Sequence, residues 1–158
     1  MKTIRLLLVD DHEVVRTGLR TFLQSQEDFD VVGEACNGVE AIDKALTLRP
    51  DVTVMDITMP EMDGLEATRR LTKQCAECNV LALTIHEDKE YFFEMMASGA
   101  TGYISKQAAA EELVSAIRTV NDGNVYLQPA LASWLLEDYR RLTHSIPPSD
   151  TDVPPQSS

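Results

Sequence analysis

Leu6-Leu7-Leu8-Val9-Asp10-Asp11 sets the terms for the whole chain: four apolar residues in a row, then two carboxylates with no spacer between. An apolar run without alternation suits a strand covered on both faces, as in parallel sheets, and the acid pair stops it abruptly. Working outward, similar short runs recur at Ile4 to Val9, Asp30 to Glu34, Val52 to Met55, Val80 to Leu83 and Thr101 to Ile104. Longer stretches separate them, with apolar residues three and four apart, such as Val14, Val15, Leu19, Phe22 and Leu23, then Val39, Ile42, Ala45 and Leu46. Those spacings predict helices. The alternation repeats at roughly 20 to 30 residues, the length of a βαβ unit, so it predicts a doubly wound α/β fold with five parallel strands and helices on both faces. In such sheets ligands sit outside the carboxyl ends of the strands.

Turn residues agree with this parse. Asn37-Gly38 opens the second helix, Pro50 closes it, Asp63-Gly64 opens the third, and Asn121-Asp122-Gly123-Asn124 ends the helix carrying Leu113, Ile117 and Val120. Pro129 suits a helix start, and Leu131, Trp134, Leu135, Tyr139 and Leu142 form a stripe at helical spacing, predicting a sixth helix over 128–143 that packs or self-associates. Residues 144–158, rich in Pro and Ser, read as a disordered linker or tail.

With 158 residues, 44% hydrophobic and 25% charged, the chain has the balance of a globular protein with one core and a short appendage. It holds no apolar run of the roughly 18 residues that a membrane span requires, and its start lacks a signal-peptide pattern, so the expectation is a cytoplasmic protein. A formal net charge of -12 without a Lys/Arg cluster opposes binding of nucleic acid by this chain. Cys36, Cys75 and Cys78 do not form a secreted disulfide framework, and the C-x-x-C of Cys75 and Cys78 lacks the second ligand pair of a zinc site. They read as structural or incidental thiols, with a redox role as the alternative.

Four polar features fall at or just after strand ends: Asp10-Asp11, Asp56, Thr84 and Lys106. Three carboxylates brought together resist joint ionisation unless a divalent cation offsets their charge, and a few hard oxygen ligands favour Mg²⁺. A carboxylate can attack phosphorus to form an acyl phosphate, leaving the protein to position the group and neutralise its oxygens. Mg²⁺, the Lys106 ammonium and the Thr84 hydroxyl would supply that neutralisation. There is no glycine-rich phosphate loop before the first helix, where Asp11-His12-Glu13 stands.

These motifs resemble the receiver domains of two-component response regulators, most closely the NarL/FixJ (LuxR-type) group. The likeness spans Ile4 to about Leu127 and rests on Leu8-Val9-Asp10-Asp11-His12, on Val54-Met55-Asp56-Ile57-Thr58-Met59-Pro60-Glu61-Met62-Asp63-Gly64, on Leu83-Thr84, and on Gly99-Ala100-Thr101-Gly102-Tyr103-Ile104-Ser105-Lys106. The resemblance implies a flavodoxin-like receiver fold over 1–127 and Asp56 as phosphoacceptor, supplied by a sensor histidine kinase. It further implies Mg²⁺ held by Asp10, Asp11, Asp56 and the backbone carbonyl of Thr58, with Thr84 and Lys106 gripping the phosphoryl oxygens. Thr84 and Tyr103 would form the switch that changes dimer or partner contacts. Such proteins usually carry a DNA-binding helix-turn-helix after a linker, and this sequence ends within that linker, which reads as an excised receiver whose transcriptional output domain is lacking, with a protein that works without its own output domain as the alternative. Two residues depart from the common pattern: Gln107 follows the lysine where proline is frequent, so a cis bond there is not assumed, and Ile85 is bulky where a small residue is usual.

Each residue also has a plainer reading. Asp10 and Asp11 can cap the first helix, Asp56 can be a turn residue, Lys106 can be a solvated lysine, and Tyr103 can be a half-buried strand aromatic with its hydroxyl in water. His12 and His86 read as surface histidines, although His86 and Thr58, two residues past key positions, resemble family positions that influence dephosphorylation. Two rivals carry less: a Mg²⁺-dependent phosphohydrolase, which would need a second acid where Thr58 stands, and a receiver-like module that never uses phosphate.

Overall fold

The computed structural model describes residues 3–57, 63–84, 89–108 and 110–145. Its elements alternate: β1 Ile4–Val9, α1 Glu13–Gln24, β2 Phe29–Ala35, α2 Gly38–Leu48, β3 Val52–Asp56, α3 Gly64–Gln74, β4 Asn79–Thr84, α4 Lys89–Ala97, β5 Gly102–Ser105, α5 Ala110–Asn121, β6 Tyr126–Leu127 and α6 Pro129–Ser145. Every strand pair is parallel, in the order β2-β1-β3-β4-β5-β6.

Among the described residues the sheet has six strands, which corrects the expected five. The extra strand is two residues long, pairing Gly102 with Tyr126 and Tyr103 with Leu127, and the Tyr126 amide reaches the Thr101 carbonyl at 3.3 Å. Two residues are too few to display a period, so nothing in the sequence separates this edge strand from the end of the preceding turn. Tyr126 holds the edge from its side chain too, its hydroxyl 3.0 Å from a Glu112 carboxylate oxygen.

Strict alternation in the strands builds one core on each face of the sheet. Leu6, Leu8, Val54, Leu81 and Ile104 face α1 and α5, where Leu23, Leu113, Ile117 and Val120 cover them. Leu7, Val9, Met55 and Val80 face the other way, onto Ala41, Ala45, Ala67 and Leu71 of α2 and α3. Small alanines let α2 and α3 lie close, and each large side chain removed from water contributes about 1.5–3 kcal/mol. The helix starts follow their caps: the Asn37 side chain accepts from the Glu40 amide at 2.9 Å, and that of Asp63 accepts from the Glu66 amide at 3.0 Å. Chain contacts divide the protein into a compact unit, Met1–Leu127, and a second unit beginning at Gln128 that contains α6. Among the described residues no helix is long and apolar enough to cross a membrane. The expected disordered stretch lies almost wholly outside the described residues, and α6 runs on to Ser145.

Candidate functional site

The strand order reverses at β1, whose neighbours are β2 and β3, so the crevice beyond the carboxyl ends of β1 and β3 is the switch point where such folds bind ligands. Asp10 follows β1 directly, and Asp56 is the last residue of β3; both are buried, at 2% exposure. One ligand atom each from Asp10, Asp11, His12 and Asp56 lies within 4.8 Å of the others. Lys106 arrives from the turn after β5, its Nζ 3.0 Å from Oδ2 of both Asp10 and Asp56. Thr84, the buried end of β4, completes the rim, and its carbonyl accepts from the Lys106 amide at 2.8 Å. Asp10, Asp11, Asp56, Thr84 and Lys106 thus lie at one end of the sheet, and Tyr103 packs in the interior against Phe92. Thr58, Ile85 and His86 lie outside the described residues.

Burial costs a charged group its hydration, and the pocket answers that cost unevenly. Burial pushes the Lys106 ammonium down, but hydrogen bonds and charge from Asp10 and Asp56 outweigh it and hold the group above its ordinary value. Asp10 is further fixed by its backbone: Oδ1 accepts from the His12 amide at 2.8 Å, and its carbonyl accepts from Arg16 at 2.5 Å. Asp10 therefore ties the entry to α1, while the N-cap itself is His12, which makes no side-chain capping bond. One ammonium does not balance three acids. Asp10 Oδ2 is met by the Lys106 ammonium at 3.0 Å and Asp11 Oδ1 by His12 Nδ1 at 3.1 Å, and both oxygens are buried. Three carboxylates crowded beside a single ammonium fit a hard divalent cation, and the cluster is compatible with such a site.

His12 was expected only at the surface. Its side chain is indeed 67% exposed, yet Nδ1 stands 3.1 Å from Asp11 and 3.4 Å from Asp10, which makes it part of the same cluster. Its adjacency to the acid pair was the available signal. Tyr103 corrects the picture of a half-buried aromatic: it is 1% exposed and meets the Phe92 ring of α4 edge-on at 5.1 Å. It lies on a strand flanked on both sides, β4 and β6, and covered by α4, and the unforeseen edge strand is why its burial was underestimated. Lys106 and Gln107 are joined without a cis bond.

Gly64 shows how tightly α3 is set against the acceptor strand. Its amide reaches the Ile57 carbonyl at 3.2 Å, and a Cβ at this position would lie 2.1 Å from the Asp56 carbonyl oxygen and 2.6 Å from Ile57 Cα. No side chain fits there, so the Asp-Gly pair both caps the helix and lets its first turn touch the backbone that carries Asp56.

A parallel doubly wound sheet with acids, a hydroxyl and a lysine gathered at its switch point defines the class of phospho-receiver domains. The response regulator receiver domain family matches residues 6–118. The chain is 40% identical over 137 residues to the oxygen regulatory protein NreC of Staphylococcus carnosus, covering 86% of this chain and 63% of that protein. It is 42% identical over 132 residues to the response regulator GacA of Pseudomonas viridiflava, covering 84% and 62%. A crystal structure of a LuxR-family two-component response regulator from Aurantimonas sp. SI85-9A1 superposes with a TM-score of 0.83 at 33% identity, over 88% of this chain and 99% of that one. The chain belongs to the response regulator receiver domains, in the NarL/FixJ (LuxR-type) family. It spans about 63% of the length of such relatives as NreC.

Proposed function

We propose that this chain is a signalling switch that accepts a phosphoryl group on Asp56 from a phosphohistidine of a partner sensor kinase, in a Mg²⁺-dependent step. The observation that carries the reading is the shared grip of Lys106 on two buried carboxylates, 3.0 Å from each, with ligand atoms of Asp10, Asp11 and Asp56 within 4.8 Å of one another. Asp10, Asp11 and Asp56 would hold Mg²⁺, with the Thr58 carbonyl as a further ligand. When bound, the ion supplies charge neutralisation for the acids and for the incoming phosphoryl oxygens.

A carboxylate oxygen of Asp56 forms the new O–P bond as the N–P bond of the phosphohistidine breaks, and the released imidazole takes up a proton. Lys106 stays within reach of the oxygens on phosphorus, and the Thr84 hydroxyl at the adjacent strand end donates to another. The burial of Asp56 strips water from the nucleophile. The phosphoryl group carries about -1.5 to -2, a net gain of roughly one negative charge because the Asp56 carboxylate gives up its own. It draws Lys106 and Thr84 inward, with Tyr103 on the neighbouring strand moving with them, which alters dimer or partner contacts. The protein is a phosphoacceptor rather than a turnover enzyme. By likeness to regulators longer than this chain, its state would be read by a DNA-binding domain beyond α6, with 128–143 as the connecting helix and 144–158 as linker, and the whole would work in the cytoplasm.

Incubation with acetyl phosphate and Mg²⁺ followed by intact mass tests this. One added phosphoryl is expected, absent in EDTA and in Asp56→Asn, and gained about 100-fold more slowly in Lys106→Met, the scale of losing one charged stabiliser. An adduct of the same size and rate in Asp56→Asn would overturn the assignment.

A further inference from the structure

At the opposite edge of the sheet, where β1, β3 and β4 begin, Cys75 and Cys78 are joined as a disulfide across the turn from α3 to β4. We propose that this pair is a thiol–disulfide exchange site for small disulfides of the R–S–S–R class, with Cys75 the sulfur that reacts first. Its geometry belongs to the backbone and not to the bond. Cys75 caps α3 through its amide to the Leu71 carbonyl at 2.8 Å, the Cys78 amide reaches the Cys75 carbonyl at 3.1 Å, and the two Cα atoms are 5.5 Å apart. That separation suits a disulfide without backbone movement, so the dithiol and the disulfide fit one turn. Bridging residues only three apart in sequence restrains the unfolded chain little compared with a long-loop cross-link, which argues against a purely stabilising role.

The surroundings distinguish the two sulfurs. Arg49 Nη1 stands 3.5 Å from Cys75 Sγ, and a guanidinium at that distance favours the thiolate, the form that attacks disulfides. Arg49 is held in place as the left-handed end of α2, its carbonyl bound by Arg5 at 2.7 Å. Glu77, 3.4 Å from the same sulfur and 3.9 Å from Arg49, is placed to take the thiol hydrogen bond, which favours the protonated thiol and works against Arg49. Cys75 and Cys78, 5% and 7% exposed, lie at the floor of a groove of about 380 Å³ lined also by Arg49, Asp51, Glu77 and Asn79, the side from which a small disulfide would approach. Among the described residues, the cluster with metal-ligating geometry contains neither cysteine.

In the oxidising direction the Cys75 thiolate attacks one sulfur of R–S–S–R, that bond breaks, and RS⁻ leaves with the proton that Cys75 gave up. Cys78, deprotonated in turn, attacks the Cys75 sulfur of the mixed disulfide and expels the second RS⁻, so two electrons pass from the dithiol to the small disulfide and two thiols are released. The reverse reaction restores the dithiol.

The test uses the reduced full chain and glutathione disulfide, with alkylation and peptide mapping at intervals. The native protein is expected to form the Cys75–Cys78 bond, and Cys36→Ser and Asp56→Asn to do so at the same rate, which separates this site from the acidic pocket. Cys78→Ser should trap one glutathione on Cys75, and Arg49→Gln, an exposed change, should slow that capture about three- to tenfold. Folded protein that is modified at Cys36 alone, or capture at Cys78 in Cys75→Ser as fast as at Cys75 in Cys78→Ser, would overturn the proposal.

Discussion

Asp11→Asn separates the charge balance of the pocket from its packing. Asp11 takes no part in the Lys106 ion pairs, and its Oδ1 stands 3.1 Å from His12 Nδ1, a contact that an asparagine oxygen can keep, so the substitution removes a charge and preserves the shape of the side chain. The ligand atoms of Asp10, Asp11 and Asp56 lie within 4.8 Å of one another. At an effective dielectric near 20, two like charges at that separation repel by about 3.5 kcal/mol. Lys106 offsets much of this for Asp10 and Asp56, and Asp11 remains 24% exposed, where solvent screens it. Discounted for both, Asp11→Asn should raise unfolding free energy by about 1–2 kcal/mol in EDTA, or roughly 3–8 °C in midpoint for a unit of this size.

The same substitution should abolish the response to Mg²⁺. A cation that binds only the folded protein stabilises it by RT ln(1 + [L]/Kd), about 2.7 kcal/mol at 100-fold excess over Kd. Wild type should therefore gain stability on adding Mg²⁺, whereas Asp11→Asn starts higher and stays flat. Urea unfolding of both proteins, with EDTA and with Mg²⁺, reads the four values. A variant that is less stable than wild type in EDTA yet keeps its full Mg²⁺ response would show that the acids are not in mutual repulsion and that Asp11 is not a ligand, and the reasoning would fail at its base.

Gly64→Ala should cost about 3 kcal/mol or more, since its Cβ would meet the Asp56 carbonyl at 2.1 Å and only backbone movement relieves that contact; urea unfolding measures the loss, and Gly18→Ala, with open space around it, is the control. Tyr126 carries a pH prediction. Burial, followed by its hydrogen bond to Glu112, pushes the phenol up from 10.0 to about 12. The folded form holds this proton more tightly than the unfolded chain, so the stabilisation is complete below about pH 10 and is lost as pH rises through about 12. Tyr126→Phe should remove the tyrosinate absorbance that develops near pH 12.

The sequence disclosed most about the interior. Leu6-Leu7-Leu8-Val9 reads as a doubly covered strand because burial on both faces leaves no polar position, and β1 occupies the predicted span. Asn37 and Asp63 announce their helices because a cap is a local bond between a side chain and an amide three residues on. The acids, Thr84 and Lys106 were legible because parallel strands end on one side, which turns four separate strand ends into one address. What escaped was non-local. β6 exists because β5 offers it an edge, and the full burial of Tyr103 follows from neighbours far away in sequence. Cys75 and Cys78 read as structural or incidental thiols, whereas the turn from α3 joins them as a disulfide, and Arg49 reaches the sulfur from 26 residues away, through the left-handed end of another helix.

The acidic pocket also explains how a small chemical change could be read at a distance. Lys106 is tied to the end of β4 by its own amide, which donates to the Thr84 carbonyl at 2.8 Å, while its side chain holds Asp10 and Asp56. Any new charge that attracts the ammonium therefore pulls on the β4–β5 edge as well as on the pocket. Three residues earlier on β5, Tyr103 is packed edge-on against Phe92 of α4 with no solvent gap to absorb a displacement. Close-packed interiors shift between discrete arrangements and do not deform continuously, so a displacement at Lys106 is met by a change in how β5 and α4 pack. With Asp56 as the proposed phosphoacceptor, the chemistry would require charge compensation, and the switch would follow from which backbone the compensating lysine is attached to.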